Sequence, residues 1–124
     1  MSCSNVISNN SGQSFKTRIT ECNDPTATID ASNFTEAVYR IYAADCTTVL
    51  VEAKLSTGDI VVEADTDEDG NAINVFRTTL TSVMTDDATL SAGQYTHQFV
   101  VTNAAGLKLP PIFQNTVTVV EVCD

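Results

Sequence analysis

The residues best suited to chemistry in this chain form an acidic run between two predicted strands. Asp65, Asp67 and Asp69 alternate with other residues and precede Gly70, which matches the first half of a D-x-D-x-D-G calcium loop. Such a loop usually has a bidentate acid at its twelfth position, and counting from Asp65 that position is Phe76. The sequence therefore makes Asp65, Asp67 and Asp69 an incomplete calcium site, and a solvated acidic hairpin turn is the favoured interpretation.

His97 is the single histidine, so no second histidine is available to complete a metal site. It alternates with Tyr95 and Phe99 along a predicted strand, a position at which a histidine is normally a packed residue. No G-x-S-x-G sequence occurs, and nothing in the sequence places His97 beside a cysteine nucleophile. We therefore predict no catalytic residues, no cofactor and no enzyme activity.

Four cysteines, Cys3, Cys22, Cys46 and Cys123, are widely spaced, and no CxxC pair suggests zinc or redox chemistry. Four cysteines allow three disulfide connectivities. Cys3 and Cys123 are the first candidates for a bridge, since the termini of compact domains often lie close together. Cys22 with Cys46 is a second candidate, and free thiols in a reducing cytoplasm are the favoured alternative to both.

The charge balance limits the partners that the chain is expected to bind. Sixteen acidic and six basic residues give a formal net charge of −10 at pH 7, which repels phosphate and argues against nucleic acid. No apolar run approaches the length of about 18 residues that spans a bilayer, so no membrane partner is expected. The first twelve residues contain neither a basic region nor an apolar one, so we predict no secretory signal.

The alternation of apolar and polar residues predicts seven or eight short strands. They are expected at residues 13–20, 36–43, 48–55, 60–64, 75–80 and 94–102, with a last pair within 107–122. Residues 26–35 are expected to be a loop with one short strand around Ala27 to Ile29. Pro110 and Pro111 interrupt the last pair at an edge or bulge, because proline cannot donate to a ladder. The pattern predicts an all-β immunoglobulin-like β-sandwich, with a small closed barrel as the alternative.

The remaining segments complete the predicted organisation. Thr85 is expected to cap one short helical turn near residues 85–90, with Asp86 and Asp87 in its first positions. Residues 1–12 are polar and are predicted to be an N-terminal arm, followed by a single domain over residues 13–124. Tyr39 and Tyr95 are expected to be in the core, which leaves only Tyr42 for a surface role and makes a sugar-binding platform a poor interpretation.

Several of these segments resemble one family of virus proteins. FTEAVYRIY (34–42) is similar to the L-T-G-A-x-V-x-F-x-V strand of the immunoglobulin-like N-terminal domain of phage upper-baseplate proteins. VFRTTLT (75–81) resembles its G-x-F-x-V-x-L-T strand, and TDDATL (85–90) its T-x-x-D-T-x-x-L turn. The segment from Gly93 to Thr102 resembles its G-x-Y-x-Y-D-I-x-V-T strand. The resemblance extends over about residues 13–120.

The resemblance implies a structural protein of a tailed-phage virion, assembled in the host cytoplasm. A lone domain of this size favours a capsid decoration or cement protein, which bridges neighbouring capsid subunits. The partners would be the major capsid protein or other virion proteins, and a homo-oligomer such as a trimer is expected. The alternatives are a baseplate, neck or tail component or, in a different class, a cell-surface immunoglobulin-like adhesion or carbohydrate-binding module.

Overall fold

Ten β-strands and one short 3-10 turn make up the part of the chain that the structure describes. This computed structural model describes residues 6–21, 24–66 and 69–121, and between residues 20 and 28 the description is limited to the backbone. The strands are β1 (Val6–Ser8), β2 (Gln13–Thr17), β3 (Ile19–Glu21), β4 (Asp24–Ile29), β5 (Phe34–Tyr42), β6 (Val49–Lys54), β7 (Ile60–Thr66), β8 (Ala72–Leu80), β9 (Gly93–Asn103) and β10 (Phe113–Val120). The 3-10 turn spans Ala31–Asn33. None of the described helical residues forms a helix that is long and apolar enough to cross a bilayer.

Eight of these strands form two sheets. The larger sheet has the order β1-β10-β9-β5-β6, in which β1 runs parallel to β10 and the other pairs are antiparallel. The smaller sheet has the order β2-β8-β7 and is antiparallel throughout. β3 and β4 form a separate two-stranded ladder. This arrangement confirms the predicted all-β sandwich and differs from the closed barrel, because the strands form separate sheets.

Apolar side chains from alternate residues fill the space between the two sheets. Phe76 of β8 contacts Phe34 and Phe99 of the larger sheet, with ring centroids 6.1 Å and 5.7 Å away. Full burial of an aromatic side chain of this size contributes about 1.5–3 kcal/mol, so the alternating positions are the main reason why these segments pair as strands. Further members of the core are Ala37, Ile41, Val51, Ile60, Leu80, Val101, Val117 and Val119.

Residues 6–12, which the sequence predicts to be part of an arm, are instead packed into the sandwich. β1 pairs with residues 118–120 of β10, and the side chain of Ile7 is 3% exposed. Asn9 is also buried; its N–H donates to the Val120 carbonyl at 3.0 Å and its Nδ2 to the Leu90 carbonyl at 3.2 Å. The first part of the predicted arm, residues 1–5, lies outside the described residues.

The predicted helical turn near residues 85–90 is a set of isolated turns, and its cap differs from the predicted one. The Leu90 N–H donates to the Asp86 carbonyl at 2.7 Å, and the Asp86 side chain accepts from the Ala88 N–H at 2.8 Å. Asp86, rather than Thr85, therefore caps this turn. Thr85 is fully buried, and its hydroxyl donates to the Ser11 carbonyl at 3.0 Å and accepts from the Ser11 N–H at 3.2 Å.

Residues 13–35 follow the prediction in part. The predicted strand over 13–20 is divided into β2 and β3, which belong to different sheets. The short strand expected around Ala27 to Ile29 is present as the longer β4, and the rest of the expected loop contains the 3-10 turn. Asp30 fixes the end of this segment, because its carboxylate bonds to Ser32 and to the Asn74 side chain of β8.

Candidate functional site

The acidic run between β7 and β8 is described only in part. The carboxylate of Asp65 accepts the Thr66 N–H at 2.9 Å and lies 3.5 Å from Lys16 Nζ. The hydrogen bond from the Thr66 backbone and the charge of Lys16 lower the pKa of Asp65. Asp67 lies outside the described residues, within which no group of three His, Cys, Asp or Glu side chains could hold a metal. The calcium site at Asp65, Asp67 and Asp69 therefore stays a prediction.

His97 is a buried, hydrogen-bonded member of the core. Its side chain is 3% exposed, and its Nε2 lies 2.6 Å from the Asn115 Oδ1. Because a carboxamide oxygen only accepts, Nε2 holds the proton, and Nδ1 accepts the hydroxyl of Tyr39 at 2.9 Å. Burial lowers the pKa of His97, which favours this neutral form. Both ring nitrogens are thus engaged in the fold.

An aromatic cluster surrounds this histidine and joins the two sheets. The Tyr39 ring packs edge-on against Phe15 of β2, with centroids 5.0 Å apart, and edge-on against His97 at 5.6 Å. Phe113 of β10 lies 4.7 Å from the histidine ring. Tyr39 is fully buried, and burial raises the pKa of its hydroxyl well above the usual range. The cluster therefore joins β2 of the smaller sheet to β5, β9 and β10 of the larger one.

A cleft of about 300 Å³ lies next to this cluster, between β2 and β10. Lys16 and Arg18 contribute to its lining, but their charged groups contact residues that do not line the cleft. Lys16 Nζ lies 3.6 Å from a Glu63 carboxylate oxygen, and Arg18 donates to the Thr66 carbonyl at 3.1 Å. The cleft therefore combines apolar walls with cations that already have partners within the fold.

Of the four cysteines, only Cys46 is described. It is exposed, its thiol is free, and it lies in a turn with a φ of 60°. Asp45 holds this turn by accepting the Thr48 hydroxyl at 2.6 Å and the N–H groups of Thr48 and Thr47 at 2.8 and 2.9 Å. These bonds, led by that of the Thr48 hydroxyl, lower the pKa of the Asp45 carboxyl. Cys3, Cys22 and Cys123 lie outside the described residues, so neither predicted bridge is tested.

The tyrosines are distributed largely as the sequence predicts. Tyr39 is in the core, and Tyr95 is half-buried against it, with its hydroxyl donating to the Ser91 carbonyl at 2.8 Å. Tyr42 is half-buried and lies on the opposite face of β5 from Tyr39. It therefore belongs to the solvent side of the larger sheet.

That side, which we call the outer sheet face, is the strongest candidate for a functional surface. Most of its side chains are half-buried rather than fully exposed, since they pack against side chains of the neighbouring strands. The face consists of Glu36, Val38, Arg40 and Tyr42 of β5, Glu52 and Lys54 of β6, Thr96, Gln98, Val100 and Thr102 of β9, and Gln114, Thr116 and Thr118 of β10.

Hydrogen bonds across three strands hold the polar side chains of the outer sheet face in place. The Tyr42 hydroxyl donates to Gln98 Oε1 at 3.0 Å, and Gln98 Nε2 donates to Gln114 Oε1 at 2.9 Å. This chain runs from β5 through β9 to β10. The amide groups of Gln98 and Gln114 are therefore held in fixed orientations on this face.

The charges of this face are balanced, unlike those of the whole chain. Arg40 Nε lies 2.7 Å from Glu52, and Lys54 Nζ lies 3.3 Å from the other oxygen of the same carboxylate. The hydrogen bond from Arg40 is the main cause that lowers the pKa of Glu52. The face thus has two basic and two acidic residues, whereas the chain has six basic and sixteen acidic.

A hollow of about 240 Å³ lies on the outer sheet face. Val38 and Val100, paired across β5 and β9, contribute apolar surface to it. Leu109 and Pro111 line it from the loop between β9 and β10. This loop folds back along β9, with the Leu109 N–H donating to the Val101 carbonyl at 2.9 Å. The two prolines therefore lie in this irregular loop. Of the pair of strands predicted within residues 107–122, only β10 is present, and Lys108 makes a single isolated bridge to Thr102 instead of a second strand.

No protein-family model, curated protein or solved structure matches this chain. The outer sheet face is accordingly assigned from its geometry. Sequence reasoning missed it, although one signal was present: Val38, Arg40 and Tyr42 alternate with core residues and mix apolar, charged and aromatic types. The hollow depends on how the loop with the two prolines folds back, which local periodicity does not reveal.

Proposed function

We propose that this chain is a non-enzymatic contact domain of a tailed-phage virion, and specifically a capsid decoration protein with an immunoglobulin-like fold. The observation that supports it most is the outer sheet face, a surface with balanced charge in a chain of net charge −10. Such a face suits protein contact better than catalysis, because its polar groups are bonded to one another rather than gathered around a reacting atom.

The order of the strands supports the immunoglobulin-like part of this proposal. Immunoglobulin sandwiches pair strands B, E and D in one sheet and C, F and G in the other, and variable-type domains add C′. The smaller sheet here, β2-β8-β7, has the positions of B-E-D, and β10-β9-β5-β6 has those of G-F-C-C′. β1 extends the second sheet beyond β10.

A second feature of such domains has a counterpart at the start of β9. A tyrosine corner is a tyrosine near the start of strand F whose hydroxyl bonds to the backbone a few residues upstream. Tyr95 makes this contact with the Ser91 carbonyl at 2.8 Å. In antibody domains a disulfide cysteine follows two residues later, and here that residue is His97, which bonds to Tyr39.

The size of the molecule supports a role in bridging neighbours. Its accessible surface is 7136 Å², and a stable protein contact takes about 800 Å² from each partner. One domain can therefore contact several neighbours while it keeps its own core. A decoration protein uses such area to join subunits that internal pressure separates.

The decisive experiment is electron microscopy of purified particles of the phage that encodes the chain. We expect density for the sandwich at regular capsid positions, with the outer sheet face turned toward a neighbouring subunit. Density on the baseplate, neck or tail would support the alternative virion role. Absence of the chain from purified particles would contradict the proposal as a whole.

A further inference from the structure

The hollow on the outer sheet face combines an apolar floor with positive charge. Val38 and Val100 are both half-buried and lie opposite each other in the β5–β9 ladder. Arg40 and Lys108 are the charged residues of the lining, and the Arg40 guanidinium is already paired with Glu52 at 2.7 Å. Lys108 is exposed and makes no ion pair with a described residue. In a chain with sixteen acidic residues, the hollow therefore has one cation whose charge no described carboxylate balances.

We propose that this hollow binds an acidic polypeptide segment of a neighbouring virion protein, an inference that rests on the proposed function. An apolar side chain of the segment would lie on Val38 and Val100, against Leu109 and Pro111. A carboxylate beside it would pair with Lys108. The apolar contact would supply most of the affinity, and the ion pair would fix the register.

The charges favour such a segment over a second copy of this chain. A face-to-face contact between two copies would bring the cations of both hollows together, which is repulsive. Each copy also has a net charge of −10, so two whole molecules repel one another. A short acidic segment avoids the first cost and gains from the local positive charge.

The test uses recombinant protein and particles assembled without the chain. The variants are K108Q, which removes the exposed cation, and V100D, which places a carboxylate on the hollow floor. K54Q is the matched control, because it removes one lysine from the same face outside the hollow. Thermal melting of each variant establishes that the domain is folded before binding is measured.

We expect K108Q to weaken particle binding about threefold to fivefold, the upper part of the range of an exposed ion pair, and V100D to weaken it at least about tenfold. K54Q should bind within about twofold of the wild type. Binding of the wild type should also fall as NaCl is raised, and more steeply than binding of K108Q.

Three other outcomes would overturn the inference. If the wild type binds but K108Q and V100D bind equally well, the contact lies elsewhere and the proposed function stands. If V100D abolishes self-association seen by sedimentation, the occupant is a second copy. If the wild type itself fails to bind particles, the proposed function fails, and the inference fails with it.

Discussion

Asp30 connects the 3-10 turn to the smaller sheet through a single carboxylate. It accepts the Ser32 hydroxyl at 2.6 Å, the Ser32 N–H at 2.9 Å and Asn74 Nδ2 at 3.1 Å. These bonds, led by the Ser32 hydroxyl, lower the pKa of Asp30 from 3.8 to about 2. The unfolded chain therefore binds this proton more readily than the folded one, so the contribution of Asp30 is complete above about pH 4 and is lost toward pH 2.

The variant D30N tests this linkage, since asparagine keeps an oxygen acceptor but removes the titration. We expect the wild type to be more stable than D30N at pH 6, and the difference to shrink as pH falls from about 4 to about 2. Urea unfolding at several pH values measures it. D87N is the control, because the Asp87 carboxylate accepts no hydrogen bond from a described residue. A difference that stays constant with pH would contradict the assignment.

Tyr39 provides a second prediction at this scale. Y39F removes the hydroxyl that donates to His97 Nδ1 and leaves a buried acceptor without its donor. We expect a loss of about 1–2 kcal/mol in the free energy of unfolding. Y42F is the matched control, because Tyr42 also bonds through its hydroxyl but lies half-buried on the outer sheet face. Equal losses in the two variants would indicate that burial does not determine the effect.

His97 also adds a pH dependence of the same direction as that of Asp30, but at higher pH. Because burial lowers its pKa from 6.5, the unfolded state binds the proton more readily than the folded state. Stability therefore falls as pH drops below about 6.5. This contribution lies in a pH range separate from that of Asp30, so the two can be distinguished in one series of unfolding curves.

At the scale of secondary-structure elements, β1 contributes more than its three residues suggest. I7A removes a side chain that is 3% exposed, and V6A removes one that is 49% exposed, in adjacent positions of the same strand. We expect I7A to cost about 2–4 kcal/mol and V6A less than about 0.5 kcal/mol. Chemical denaturation measures both. Similar small losses would mean that β1 is an arm after all, as the sequence predicts.

The long strands were predictable because their own residues specify them. β5 and β9 alternate apolar and polar side chains over nine and eleven residues, which is enough to identify the buried face without knowledge of the partners. β1 has three residues, and its partner in β10 lies more than a hundred residues away. Its pairing depends on tertiary contacts, such as the hydrogen bonds from Asn9 to Leu90 and Val120. The alternation of residues within a short segment gives no information about such contacts.

The candidate site was predictable to a smaller extent than the fold. The packed role of His97 follows from its position beside Phe99, and the burial of Tyr39 follows from its alternation with Ile41. The outer sheet face required knowledge of which strands are neighbours, because Tyr42, Gln98 and Gln114 come from three distant parts of the sequence. Long-range strand order is what single-sequence periodicity does not supply.

At the scale of the whole molecule, the net charge of −10 opposes the association of two copies. Self-association and partner binding should respond to salt in opposite ways. Raising NaCl from about 0.1 M to about 1 M shortens the screening length from about 10 Å to about 3 Å, so repulsion between copies weakens. Any trimer should therefore strengthen with salt while binding at the hollow weakens. Sedimentation velocity tests the first part, and a trimer that dissociates at high salt would contradict it.

The parallel pairing of β1 with β10 places the first and last described strands side by side. A pull on the two ends of the chain would act along these strands in opposite directions and load their shared hydrogen bonds in shear, all at once. We expect stretching of a single molecule from its ends to meet its main resistance at this pair, and I7A to lower the rupture force. In the proposed role on a particle under internal pressure, the sandwich would resist force along β1 and β10 more strongly than force across them.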